Sequence, residues 1–138
     1  MNTFLESYQN HQTKSNAFVL KVERDTSVMP RKFEDGKYLN FYVRIYLALD
    51  PTLVFTQSPF YSFDDVSLVK YELDPSYYDS IRSSSERGRD FEIKVWTYGY
   101  YPIKATIYFK MGKPVTIYGN VKFEVTDEER KKNKSEKI

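Results

Sequence analysis

Residues Val66 to Phe109 read VSLVKYELDPSYYDSIRSSSERGRDFEIKVWTYGYYPIKATIYF, and the fold turns on this stretch. Val69, Tyr71 and Leu73 alternate with polar neighbours, as do Phe91, Ile93 and Val95, and then Ile103, Ala105, Ile107 and Phe109. A side-chain period of 2 marks half-buried strands. Two aromatic turns interrupt them, Asp74-Pro75-Ser76-Tyr77-Tyr78 and Thr97-Tyr98-Gly99-Tyr100-Tyr101. Pro75 lacks an N–H and has a pinned φ, so it stops the first strand. In a β-sandwich such turns can share one end. These two would then gather several tyrosine rings and a serine hydroxyl around a single cleft.

Outward from this stretch the same period recurs. Tyr38–Leu49 alternates throughout, with Leu39, Phe41, Val43, Ile45, Leu47 and Leu49 on one face. No amphipathic helix keeps that pattern. Ala17–Arg24 and Val115–Val125 read the same way, and the latter forms a hairpin with Ile103–Phe109 across Lys110-Met111-Gly112-Lys113. Asp25–Lys37 is a long connection. Asp50-Pro51 ends the second strand, and Leu53-Val54-Phe55 reads as a short strand beyond it. Asp64-Asp65 reads as a solvated turn, with no third ligand nearby to make it a metal or acid–base pair. Ile81–Asp90 (IRSSSERGRD) reads as a flexible polar loop without core residues. No helix is expected. The pattern predicts an all-β fold, an antiparallel β-sandwich of about seven to eight strands. Its body spans residues 17–126, between a polar leader at 1–16 and a charged flexible tail at 127–138 with no apolar stripe to dock it.

Composition excludes several kinds of chemistry. The 138 residues fit one domain, and Tyr (13) and Phe (10) are abundant, as suits strand surfaces and binding sites. Net charge is +2 and no like-charged block is long, which argues against a nucleic-acid partner. With no Cys, disulfides, thiolate metal sites and thiol nucleophiles are excluded. The one histidine, His11, sits in the leader, so no serine has a base beside it. Phosphate-loop, dinucleotide and HExxH patterns are absent. A non-enzyme without cofactor or metal is the expectation. No apolar run reaches the ~18 residues that span a bilayer, and no signal peptide is evident, so a cytoplasmic protein without membrane insertion is expected.

Val69-Lys70-Tyr71-Glu72-Leu73-Asp74-Pro75-Ser76-Tyr77, then Phe91 to Tyr101, then Ile103-Lys104-Ala105-Thr106-Ile107-Tyr108-Phe109 together resemble the YEATS domain, in particular its prokaryotic version. The Leu-Asp-Pro-Ser-aromatic piece is the most specific part. The resemblance implies an immunoglobulin-like sandwich and a non-catalytic module that binds a protein or peptide, including acylated lysine. Prokaryotic relatives look like accessory domains of signalling or defence systems. By position, Ser76 would meet the acyl amide through its hydroxyl, and Tyr77 and Tyr98 would sandwich it. The backbone N–H of Tyr98 or Gly99 would meet its carbonyl, Tyr101 would wall the acyl tip, and Asp74 stands where reader members carry histidine. Tyr100 replaces a family glycine. Two other readings stay open: an assembly protein that pairs through edge strands, and a carbohydrate-binding module stacking sugars on Tyr38, Tyr42 and Tyr46.

Overall fold

A computed structural model describes residues 17–33, 36, 38–56 and 61–136; the leader and His11 lie outside the described residues. Among these described residues, seven strands form two antiparallel sheets. The first is ordered β1-β2-β5, from β1 (Phe18–Arg24), β2 (Phe41–Leu49) and β5 (Ile93–Thr97). The second is ordered β4-β3-β6-β7, from β4 (Ile81–Ser84), β3 (Val66–Glu72), β6 (Tyr101–Phe109) and β7 (Val115–Val121). The expected β-sandwich is therefore observed, as is the β6–β7 hairpin, which pairs from Tyr101↔Val121 to Ile107↔Val115.

The period of 2 fixes which side chains fill the space between the sheets. In β2, Phe41, Val43, Ile45 and Leu47 are buried, while Tyr42, Arg44 and Tyr46 face outward and are partly covered. Val69 and Tyr71 of β3, and Ile103, Ala105 and Ile107 of β6, meet them from the opposite sheet. Each fully buried aliphatic or aromatic side chain contributes about 1.5–3 kcal/mol. Tyr71 carries a hydroxyl into this core, and burial pushes its pKa up. The hydroxyl donates to the Phe91 carbonyl at 2.6 Å. That bond helps hold an unfavourable backbone, because Asp90 and Phe91 are both left-handed, with φ of 57° and 55°. At the other side of the sandwich, β7 comes so close to β1 that a Cβ on Gly119 would lie 3.2 Å from the Leu20 Cβ.

Four expectations are corrected. Leu53-Val54-Phe55 is not a strand: Pro51–Thr56 is a short helix, α1. Asp50 caps it, its Oδ1 accepting from the Thr52 N–H at 2.9 Å, and Pro51 takes the first helical position, where a missing N–H costs nothing. Ile81–Asp90 is not a structureless loop. It supplies β4, paired with β3 from Val69↔Ser84 to Glu72↔Ile81, and a 3₁₀ turn at Arg87–Arg89, and it buries Ser84. As an edge strand, β4 needs no apolar alternation. The final strand stops at Val121 rather than Val125.

The charged segment expected as a frayed tail is helical from Asp127 to Glu136 (α2). Thr126 and Glu129 cap it reciprocally, through Thr126 N–H to Glu129 Oε1 (2.9 Å) and Glu129 N–H to Thr126 Oγ1 (3.2 Å). Glu129 also takes a two-pronged ion pair from Arg24 of β1, at 2.8 and 2.6 Å. A salt bridge thus does what an apolar stripe was required to do. The Arg24 guanidinium holds the Glu129 carboxyl down to about 2.

Candidate functional site

The two aromatic turns do meet. The first leaves β3, the second joins β5 to β6, and β3 and β5 belong to different sheets. Between them is a cleft of about 440 Å³ whose lining includes Asp74, Ser76, Tyr77, Tyr98, Gly99 and Tyr101, all six residues singled out in the sequence. A chain of hydroxyls ties the turns together. Tyr101 donates to the Tyr77 hydroxyl at 3.1 Å, and Tyr77 donates to the Trp96 carbonyl at 2.8 Å. The two rings lie 5.7 Å apart and tilted by 58°. Burial, and then the bond to Tyr77, push the Tyr101 phenol far above its ordinary range, so it stays a donor.

Asp74 builds the first turn. Its Oδ1 accepts from the Ser76 N–H at 2.9 Å, an Asx turn that brings Ser76 and Tyr77 round to the cleft. Hydrogen bonds from Ser76, chiefly that backbone N–H, hold the Asp74 carboxyl below the usual range. The second turn is built by Thr97, whose buried hydroxyl donates to the Gly99 carbonyl at 2.8 Å and accepts the Gly99 N–H at 3.3 Å. Gly99 therefore directs its N–H to Thr97 rather than into the cleft.

Tyr77 and Tyr98 both line the cleft, and Tyr98 has a ring behind it. It stacks on Tyr38, at 4.8 Å and 13°, and remains 57% exposed. Tyr100, which stands where the family has glycine, also lines the cleft. Its ring packs edge-on against Phe123, 5.1 Å away, and its hydroxyl donates to the Phe123 carbonyl.

The lining also includes residues that the sequence does not single out: Phe33, Asn40, Tyr78, Arg82 and Trp96. Phe33 and Trp96 meet edge to face at 5.6 Å, and the Arg31 guanidinium sits 4.7 Å from each ring. Two of them carry a sequence signal: Tyr78 belongs to the first aromatic turn, and Trp96 is the lone tryptophan beside the second. Arg82 enters because β4 brings it there.

Among the described residues no three His, Cys, Asp or Glu side chains cluster to hold a metal. No helix among them is long and apolar enough to cross a membrane. The rings expected as a sugar platform are covered one by one: Tyr38 by Tyr98, Tyr42 by Trp96 at 4.9 Å, and Tyr46 by the Arg44 guanidinium at 3.9 Å.

Comparison with known proteins agrees with the fold. A sequence model of the prokaryotic YEATS domain matches residues 43–122, more than half of the protein. No curated protein matches it in sequence. Among solved structures, the Yaf9 YEATS domain recognising an H3K122suc peptide is similar, with 16% identity and a TM-score of 0.52 over 81% of this protein and 72% of that one. The Yaf9 YEATS domain bound to H3K27ac gives 16% identity and 0.54 over 80% and 72%. The yeast AF-9 homolog Yaf9 gives 15% and 0.54 over 78% and 66%. At these identities the likeness is one of fold.

Proposed function

The chain belongs to the prokaryotic YEATS domain family, and from that premise we propose that it is a non-catalytic module binding a peptide through an amide-bearing side chain, acylated lysine foremost, in the aromatic cleft. One observation carries the reading: the turn that leaves β3 and the β5–β6 turn that crosses between the sheets converge so that Ser76, Tyr77, Tyr98 and Tyr101 line one gap. The Yaf9 domain's H3K122suc and H3K27ac peptides point to the ligand class.

A flat amide leaving water costs about 1–3 kcal/mol unless its hydrogen bonds are replaced. Ser76 and the Tyr98 N–H are the groups that replace them. Tyr98, backed by Tyr38, offers a ring to the amide, worth about 0.5–1.5 kcal/mol. Gly99 is not assigned a donor role, because Thr97 takes its N–H. The setting is the interior of a prokaryotic cell, as part of a signalling or defence system.

The test is calorimetric titration with one C-terminally amidated lysine peptide in plain and acylated forms. Acylated peptides bind and the plain peptide does not, and Tyr98→Ala weakens binding roughly three- to tenfold. Equal binding of both forms, or indifference to Tyr98→Ala, overturns the reading. A concentration-dependent oligomer that ignores every peptide would favour assembly through edge strands.

A further inference from the structure

The protein has seven arginines, and all lie among the described residues. Five pair with carboxylates: Arg24 with Glu129, Arg44 with Asp90 and Glu92, Arg87 with Asp64, Arg89 with Glu86, and Arg130 with Asp127. Arg31 lies against the rings of Phe33 and Trp96. Among the described residues, Arg82 has neither kind of partner. Its Nε donates to the Asp79 carbonyl at 3.2 Å and its Nη1 to the Lys94 carbonyl at 3.3 Å. It is also the one arginine in the cleft lining as described.

Those two bonds position the guanidinium without neutralising it. The Lys94 bond runs from β4 in one sheet to β5 in the other, so the charge is held at the gap between the layers. A guanidinium has five N–H donors in a planar fork, and two bonds to carbonyls leave three for a ligand. The other charge in the lining, Asp74, has an oxygen engaged by the Ser76 N–H and belongs to the turn that leaves β3.

Resting on the reading of the cleft as an amide slot, we infer that Arg82 makes it selective for a ligand whose amide is followed by a carboxylate. Two peptide chemistries supply that pair: a lysine carrying a dicarboxylic acyl group, and the free carboxyl end of a peptide, whose last amide precedes a carboxylate. Either would meet Arg82 as a charge-assisted, two-pronged contact.

The test uses four peptides of one sequence. Three are C-terminally amidated and carry plain, butyryl- or succinyl-lysine; the fourth carries plain lysine and a free C-terminal acid. Butyryl and succinyl groups have equal length and differ at the tip. Succinyl-lysine is expected to bind about tenfold tighter than butyryl-lysine, or the free acid about tenfold tighter than its amide. Whichever pair shows the gap identifies the source. The preference shrinks as salt rises, and Arg82→Gln brings the ratio within each pair to about one, whatever it does to binding of the neutral peptides. A preference that survives Arg82→Gln, or an absent preference with butyryl-lysine still bound, overturns this inference and spares the binding module. Failure of all four peptides to bind overturns both. Should circular dichroism show Arg82→Gln unfolded, Arg82→Lys replaces it: the charge stays, the fork goes and the gap falls to two- to fourfold. An unchanged gap there overturns the inference.

Discussion

Replacing Tyr77 by phenylalanine deletes one oxygen from the hydroxyl chain that joins the two turns. That oxygen makes two bonds, donating to the Trp96 carbonyl at 2.8 Å and accepting from Tyr101 at 3.1 Å. At about 0.5–1.5 kcal/mol for each net hydrogen bond, Tyr77→Phe should cost about 1–3 kcal/mol of folding stability. Tyr101→Phe removes only the second bond and should cost about half as much. The double variant is the sharper measurement. Tyr77→Phe strands the half-buried Tyr101 hydroxyl, so removing that hydroxyl as well should add nothing, or restore a few tenths of a kcal/mol. Urea unfolding of the four proteins closes the cycle. Simple additivity of the two single effects, or a Tyr77→Phe protein as stable as the parent, would refute the account of the turns as tied through this oxygen.

Further outcomes follow from elements away from the cleft. The Arg24 guanidinium holds the Glu129 pKa at about 2, below its ordinary 4.5, so the pair's contribution is complete above pH 4.5 and is lost as pH falls through 2. Hydrogen exchange over Asp127–Glu136 should rise across that window, and Glu129→Gln should raise it already at pH 7 and erase the acid step; an unaltered acid step in that variant counts against the clamp. Gly119→Val pushes a side chain toward Leu20 and should cost about 1–3 kcal/mol in a denaturant titration. A neutral result there would mean that β7 and β1 separate more freely than their spacing indicates.

The parts of this fold that announce themselves are those whose side chains face two different media. Tyr38–Leu49 and Ile103–Phe109 alternate because one face meets the core and the other meets water, and that contrast is written in residue type. The β4 strand has no such contrast. It lies at an edge and Ile81 stays exposed, so its strand character comes from pairing with β3 and leaves little local trace. The α2 helix has no apolar stripe to advertise its docking, because its anchor is a single carboxylate whose partner, Arg24, lies 105 residues away. The cleft divides in the same way. Its two aromatic turns can be found from proline, glycine and clustered tyrosines. Asn40 and Arg82 are brought there by bridge and sheet pairing, and Phe33 by the connection before β2, and no short window of residues records this. The orientation of Tyr98 is hidden for the same reason, since Tyr38, which stacks on it, belongs to a different connection.

Because one wall of the cleft hangs from a single layer of the sandwich and the other wall bridges both, its aperture is a gauge of how the layers sit on one another. A few tenths of an ångström of slip at Val43, Ile45 or Ile107, none of them in the cleft lining, would reach the opening as a change in width. Conservative exchanges among those aliphatic side chains are thus a means of retuning which guests are admitted, with every contacting residue left as it was.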